Sequence, residues 1–240
     1  MSKENLNKEP QVKITKNGPY IIIGRIPLTD QIIIVNEDGI PVEWRTGKKY
    51  PTQEKCGLCR CGNSKNKPYC DGTHIKIDFD GTETANTRPY LELAKVMDGP
   101  ELKLTDLEDL CASARFCHRA GEIWTLIPKS NQPEAKKIAI EEACNCPSGR
   151  LVVWDKKTNK PIESNFEKAI GLIEDPQLAC SGPIWVQGGI QITSTDGLPY
   201  EVRNRVTLCR CGKSTIKPFC DSSHFPEHQY KELMAQKKNK

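Results

Sequence analysis

Residues 58–74 read LCRCGNSKNKPYCDGTH and residues 208–224 read LCRCGKSTIKPFCDSSH, so the chain contains one phrase twice. The two copies agree at 11 of 17 positions. Three thiolates and one imidazole form a complete set of ligands for zinc or for an iron–sulfur centre. The phrase therefore predicts two metal-binding loops. Their candidate ligands are Cys59, Cys61, Cys70 and His74 in the first copy, and Cys209, Cys211, Cys220 and His224 in the second.

The repeat extends beyond the cysteine loops. GPYIIIGRIPL (18–28) resembles GPIWVQGGIQI (182–192), and DGIPVEWR (38–45) resembles DGLPYEVR (196–203). β-Branched and aromatic residues between Gly and Pro predict short antiparallel strands, and the Asp-Gly pairs predict turns. Each unit is thus predicted as strand, strand, turn, strand and cysteine loop. Two such units in one chain indicate an intrachain pseudo-dimer, and hence a monomer with an internal pseudo-two-fold axis.

A segment of different character, residues 85–178, separates the two copies. Helices are predicted for residues 105–117 and for residues 132–144, where Pro133 suits the first turn of a helix. A third helix is predicted for residues 164–175, which begin with a cap-forming serine and end before a proline. The fold class predicted for the whole chain is therefore α+β, with a helical module inserted between two β-rich units.

Composition narrows the classes of protein. Twelve cysteines lie in a chain whose N-terminal stretch, MSKENLNKEPQ, is polar and lacks the features of a secretion signal. Clustering of cysteine with histidine favours metal binding in a reducing cytoplasm over disulfides. No apolar run approaches the roughly eighteen residues of a membrane helix. The net charge of +4 is small and the lysines are scattered, so neither a membrane nor nucleic acid is an expected partner.

The first phrase, CRCGNSKNKPYCDGTH, resembles the CDGSH iron–sulfur family, also called NEET proteins, at every defining position. The resemblance implies one [2Fe–2S] cluster per motif, held by three cysteines and one histidine, in dimers or in fused tandem repeats. The second copy departs from the family at Ser222, where the family has glycine, and retains all four ligands. A cysteine at position 56, close to the first loop, is interpreted as a spare thiol.

Cysteines of the middle segment form a second pattern. Five residues separate Cys111 from Cys117, and Cys146 begins the run CPSG. This pattern is similar to the divergent mono-cluster ferredoxins, with Ala114 at the position of the central cysteine. The resemblance implies a [3Fe–4S] cluster on three thiolates, or a [4Fe–4S] cluster with one further ligand. The alternative is a set of buried, inert cysteines. Candidates for the further ligand are Cys144, Cys180 and, less favoured, His118.

The predicted function is one-electron transfer between redox partner proteins, by a carrier rather than a catalyst. A second hypothesis is a carrier that delivers [2Fe–2S] clusters to apo iron–sulfur acceptors, or a sensor of redox state or pH. A third is a structural zinc protein acting as a scaffold. The predicted domains are a disordered N-terminus (1–16), a first CDGSH unit (17–84), a ferredoxin-like module (85–178), a second CDGSH unit (179–228) and a basic tail (229–240).

Overall fold

The structure, a computed structural model, describes residues 9–238. Most of its regular structure is β-sheet, arranged in three sheets. The strands, in chain order, are β1 (Gln11–Ile14), β2 (Tyr20–Ile23), β3 (Leu28–Val35), β4 (Pro41–Tyr50), β5 (Lys55–Leu58), β6 (Lys95–Asp98), β7 (Leu102–Asp106), β8 (Leu151–Asp155), β9 (Lys160–Ile162), β10 (Ala169–Asp175), β11 (Cys180–Gln187), β12 (Gln191–Thr193) and β13 (Arg205–Leu208).

Helices are fewer and mostly short. The α-helices of the described residues are α1 (Thr73–Lys76), α2 (Tyr90–Leu93), α3 (Ile123–Leu126), α4 (Pro133–Cys144) and α5 (Glu227–Lys238). Single 3₁₀ turns occupy Glu108–Leu110, Phe116–His118, Ile127–Lys129 and Pro176–Leu178. Throughout residues 9–238, every helix is too short or too polar to cross a membrane.

The two CDGSH repeats exchange strands. One sheet has the order β12-β1-β2-β5, and another has the order β13-β11-β10-β3-β4. In the first, β1 lies antiparallel to β2 and parallel to β12; in the second, β10 lies antiparallel to β11 and parallel to β3. Strand β3 of the first repeat therefore lies in the sheet of the second, and β12 of the second lies in the sheet of the first. This arrangement is consistent with the predicted pseudo-dimer.

The exchanged sheets share one hydrophobic core. Buried aliphatic side chains from both repeats pack in a single cluster, and each contributes about 1.5–3 kcal/mol when fully buried. Equivalent strands supply equivalent members, so the core follows the pseudo-two-fold axis. The paired positions are Val12 with Ile170, Ile14 with Leu172, Ile22 with Val186, Ile26 with Ile190, Leu28 with Ile192 and Leu58 with Leu208.

Two of the three predicted helices are wrong. Residues 164–175 contain the strand β10, which lies between β3 and β11 and buries residues 170–173 in succession. A short, continuously apolar run has the same appearance in a buried helix and in a central strand. Residues 105–117 contain the end of β7 and 3₁₀ turns, because Ser113 and Arg115 adopt positive φ. The third prediction is confirmed: α4 begins at Pro133 and ends at Cys144.

The inserted segment is a sheet with a helix packed on it, rather than a helical module. Its strands follow the order β6-β7-β8-β9, all antiparallel, and α4 packs against this sheet through Ala139 and Ala143. Strand β10, which we assigned to this segment, lies instead in the sheet of the second repeat. The strand predicted within 196–203 is also wrong, since only an isolated bridge at Pro199 forms there.

The chain ends differ from expectation where the structure describes them. Residues 1–8 of the predicted disordered segment lie outside the described residues, but Gln11–Ile14 form β1 between β2 and β12. A four-residue strand with Lys13 in it resembles a polar tail, and only its two partners stabilise it. The predicted basic tail lies mostly in α5, and residues 239–240 are outside the described part.

Candidate metal centres

The two cysteines of each C-x-C motif point their sulfurs at one another. The Sγ atoms of Cys59 and Cys61 lie 3.8 Å apart, and those of Cys209 and Cys211 lie 3.7 Å apart. Two thiolates bound to one tetrahedral metal at about 2.3 Å would be separated by roughly 3.8 Å. Each C-x-C pair therefore has the spacing needed to bind the same metal ion.

The third cysteine and the histidine form a second pair in each loop. Cys70 Sγ lies 3.2 Å from His74 Nδ1, and Cys220 Sγ lies 3.4 Å from His224 Nδ1. A thiolate and an imidazole on one tetrahedral metal would be separated by about 3.5 Å. Among residues 9–238, no three Cys, His, Asp or Glu side chains are arranged around a single metal position. The predicted ligands thus come together as two pairs in each loop.

Polar residues of the motif hold the first loop in shape. Ser64 Oγ donates to the carbonyl of Tyr69 at 2.6 Å. The carboxylate of Asp71 accepts the backbone N–H of Lys65 at 2.8 Å and that of Thr73 at 3.0 Å. Hydrogen bonds, the one from Thr73 first, lower the pKa of Asp71. Asp71 is therefore ionised, and it satisfies an N–H at the start of α1, as the sequence predicted.

The second loop repeats these contacts. Ser214 Oγ donates to the carbonyl of Phe219 at 2.7 Å, and Asp221 accepts the N–H groups of Thr215 at 2.7 Å and of Ser223 at 3.0 Å. Burial would raise the pKa of Asp221, but these hydrogen bonds hold it at about 2. The residues that follow form a turn instead of a helix, so Asp221 stabilises the loop without capping a helix.

The two loops touch each other across the pseudo-two-fold axis. A Cβ atom added to Gly62 would lie 2.5 Å from the carbonyl oxygen of Cys211, and one added to Gly212 would lie 2.7 Å from that of Cys61. Both glycines also have positive φ, near 76° and 79°. Glycine is needed at both positions because the backbones of the two C-x-C motifs are in contact there.

We expect Gly62→Ala to destabilise the protein by about 3 kcal/mol. Left-handed backbone costs a non-glycine residue roughly 1–2 kcal/mol, and the clash with Cys211 adds about 1–3 kcal/mol. Gly72→Ala is the matched control, because Gly72 has a φ of 84° but nothing lies within 4 Å of its added Cβ. The control should lose only the conformational part. Denaturant unfolding measures both, and equal losses would contradict close contact between the loops.

Burial and charge set the protonation of the second ligand set. Burial lowers the pKa of His224 to about 4, and the charge of Arg210 lowers it further. A hydrogen bond with Cys211 lowers the pKa of Cys209 to about 6 and raises that of Cys211. Neutral imidazole and thiolate are the forms that bind metal. The histidine is therefore ready to bind near neutral pH, whereas binding by the thiols releases protons.

The middle segment brings three of its cysteines together. Burial raises the pKa of Cys117, and the charges of Cys146 and Cys111 raise it further, so these thiols lie within electrostatic range of one another. The other two candidates make different contacts. Cys144 Sγ donates to the carbonyl of Ile162 at 3.7 Å, and Cys180 Sγ donates to the carbonyl of His224 at 3.3 Å. Neither is among the groups that act on Cys117.

Two charged residues near the middle cysteines were not predicted. Glu142 is fully buried on α4, and its Oε1 accepts the N–H of Ala120 at 2.8 Å. Its Oε2 has no hydrogen-bond partner among the described residues, and burial raises its pKa. Arg150 binds Asp106 with both Nε and Nη2 and lies beside Cys111. The sequence gives no sign of either contact, since both residues have ordinary surface-forming neighbours.

His118, the weaker ligand candidate, lies at the surface. Its Nδ1 is 3.3 Å from Glu122 Oε1, and its ring packs on Trp124. The side chain is about half exposed, and none of its contacts involves a cysteine. The structure therefore gives the middle site three thiolates and no identified fourth ligand.

Comparison with protein families agrees with these sites. Residues 17–75 and 181–225 match the family described as iron-binding zinc finger CDGSH type. Residues 97–156 match the family described as divergent 4Fe-4S mono-cluster. No curated protein and no solved structure matches the chain. The chain is therefore an iron–sulfur protein. More specifically, it is a CDGSH-type protein in which two CDGSH segments flank a divergent mono-cluster domain, as the sequence predicted.

Proposed function

We propose that the protein transfers single electrons between redox partners, with one [2Fe–2S] cluster in each Cys₃His loop and a third cluster on the middle cysteines. The observation that carries the proposal is the division of each loop's donors into two pairs. A [2Fe–2S] cluster contains two irons, and each iron needs two protein ligands. The C-x-C pair would hold one iron, and the cysteine–histidine pair would hold the other. Such a cluster supplies a one-electron change when bound.

Zinc fits the same donors less well. A structural zinc ion takes all four ligands on one tetrahedral centre. In both loops, the described donors are paired and no third donor joins either pair. The scaffold hypothesis therefore requires the two pairs to move together when metal binds, whereas the two-iron hypothesis requires no such movement.

Histidine gives these sites a different potential from that of an all-cysteine site. Neutral imidazole in place of a thiolate removes one negative charge from around the metal. Adding an electron then meets less repulsion, so the potential should lie above that of a plant-type ferredoxin. Rieske centres, which have two histidines, show the same direction. This property suits acceptance of electrons from ordinary low-potential ferredoxins.

For the middle site, we propose a [3Fe–4S] cluster on Cys111, Cys117 and Cys146, or a [4Fe–4S] cluster with one further ligand. Three thiolates within electrostatic range support the cluster. The contacts of Cys144 and Cys180 point away from this group and do not favour either as the further ligand.

Cluster delivery is the second candidate function. The specific observation in its favour is that both histidines are partly exposed, while Cys59 and Cys209 are buried. A cluster held at its outer edge by histidine is accessible to an acceptor protein, and loss of that one ligand would loosen it. The same exposed edge serves electron exchange, so the two functions must be separated by experiment.

The decisive experiment begins with protein purified without oxygen. Iron, acid-labile sulfide and zinc should be measured, and electron paramagnetic resonance spectra should be recorded on oxidised and reduced samples. We expect iron and sulfide with little zinc. Stoichiometric zinc without iron would support the scaffold instead. Incubation with apo-ferredoxin then distinguishes the remaining two: transfer of cluster supports delivery, and its absence together with rapid reversible reduction supports electron transfer.

A further inference from the structure

One residue of the second site makes a contact that the first site lacks. Ser222 has a φ of 72° and takes the place of Gly72 in the other copy. Its hydroxyl donates to the carbonyl of Cys111 at 2.6 Å and accepts a hydrogen bond from Ser113 Oγ at 2.8 Å. Nothing lies within 4 Å of a Cβ placed on Gly72. A predicted ligand loop of the middle site is thus attached to the second Cys₃His loop only.

Other contacts attach the middle segment to the same repeat. Arg205 Nε donates to the carbonyl of Cys146 at 2.7 Å, and the guanidinium of Arg203 donates to that of Gly149. The equivalent positions of the first repeat, four and six residues before its C-x-C motif, are an exposed lysine and an exposed glutamine. Both cysteine-bearing loops of the middle site therefore rest on the second repeat.

The residue after each ligand histidine shows the same asymmetry. Arg115, between the middle cysteines, lies 5.4 Å from the ring of Phe225, which follows His224. Arg115 is buried and also pairs with Asp175 at 2.7 Å. The counterpart of Phe225 in the first repeat is Ile75, which is 72% exposed. The middle segment covers the second histidine's surroundings and leaves those of the first open.

We propose that the middle site exchanges electrons with the second Cys₃His site and not directly with the first, and that Ser222 is the residue that positions the two sites for this exchange. The inference rests on the proposed function. In each step, one electron leaves the middle site and is gained by the second site, and an external one-electron donor replaces it. The first site is reached only through the contact between the two C-x-C loops at Gly62 and Gly212.

Magnetic coupling between reduced sites tests the order. His74→Cys and His224→Cys each alter one Cys₃His site, and so assign the two resonance signals. In the otherwise unaltered protein reduced with dithionite, the paramagnetic middle site should speed the relaxation of the second-site signal more than that of the first. Equal effects on both signals, or a larger effect on the first, would overturn the proposed order.

Two variants test Ser222 itself. Ser222→Ala removes the hydroxyl and keeps the Cβ, and Ser222→Gly restores the family residue. We expect both to weaken the relaxation effect on the second-site signal. Loss of a hydrogen bond should also speed amide exchange in residues 111–115 roughly tenfold. Gly72→Ser is the control, because its new hydroxyl faces open space, and it should change neither measurement. Faster exchange with unchanged coupling would give Ser222 a structural role only and refute its positioning role.

The failure of this inference is distinguishable from the failure of the proposed function. Protein without iron and sulfide would show no cluster signals in any variant, and the proposed function would then fail first. Protein with all three clusters but without preferential coupling to the second site would retain the proposed function and refute the inferred order.

Discussion

Cys59→Ser is expected to remove one complete cluster from the protein. With two [2Fe–2S] sites and one [3Fe–4S] or [4Fe–4S] site, total iron should fall from roughly seven or eight atoms to roughly five or six. Serine keeps the size of the side chain, but its neutral hydroxyl is a poor substitute for a soft thiolate. Cys59 is 1% exposed and shares its metal position with Cys61, so the remaining donor of this pair cannot hold an iron alone. Iron and sulfide analysis of protein purified without oxygen measures the loss.

The same loop provides a control for this change. Cys56 lies three residues before Cys59, on β5, where it packs against the shared core. Burial raises the pKa of its thiol, which disfavours the thiolate needed for binding. Cys56→Ser should therefore keep the full iron content. Loss of iron in the Cys56 variant would make this thiol a ligand, and unchanged iron in the Cys59 variant would contradict the proposed pairing.

A double variant adds information about independence. Cys59→Ser combined with Cys209→Ser should lose about four irons and leave only the middle cluster. The two losses should be additive if each loop holds its own cluster. A loss of all iron from either single variant would instead indicate that the contacting C-x-C loops need one another's clusters to remain folded.

The ligand sets were predictable because covalent spacing fixes them. In C-x-C, two residues of one short loop can present both sulfurs to one position, and Cys-Asp-x-x-His brings the remaining two donors together over one turn. The same local reasoning predicted α4 from Pro133 onward. The arrangement of Cys111, Cys117 and Cys146 was also predicted, although the sheet that holds them was not.

Strand exchange was not predictable from local patterns. The partners of β1 are nine and about 180 residues away along the chain, and nothing in the run QVKI identifies them. Residues 170–173 are apolar on both faces because neighbours in the sheet and the layers beside it cover them. That information belongs to the tertiary structure. An apolar run in isolation fits a buried helix equally well.

Ser222 illustrates the intermediate case. Its departure from the repeat is visible in the sequence, and a change from glycine at this position raises an expectation of strain. The structure shows that the side chain has hydrogen-bond partners in another segment of the chain. A residue that breaks a local rule at a functional site is often compensated elsewhere. Here the compensation is a contact with a predicted ligand loop.

The attachment of the middle segment depends most strongly on Arg205. Its side chain is completely buried, and it forms an ion pair with Glu163, whose side chain is 24% exposed. Besides its bond to Cys146, its Nη2 donates to the carbonyls of Ala143 at 2.9 Å and Leu151 at 3.1 Å. These three carbonyls end α4, begin the CPSG run and begin β8. One guanidinium therefore satisfies acceptors from three elements that frame the middle cysteines.

We expect Arg205→Ala to lower the free energy of unfolding by about 3–5 kcal/mol, because it leaves a carboxylate and buried carbonyls without their donor. Arg25→Ala is the matched control. Its ion pair with Glu54 is exposed, with the arginine side chain 65% accessible, so its loss should cost less than about 1 kcal/mol. Denaturant unfolding followed by circular dichroism measures both. Should Arg205→Ala fail to fold, Glu163→Gln keeps the carbonyl contacts and removes only the ion pair, and it should lose less than half as much. A loss in Arg205→Ala no larger than that in Arg25→Ala would contradict the role of this residue as the link between the middle site and the second repeat.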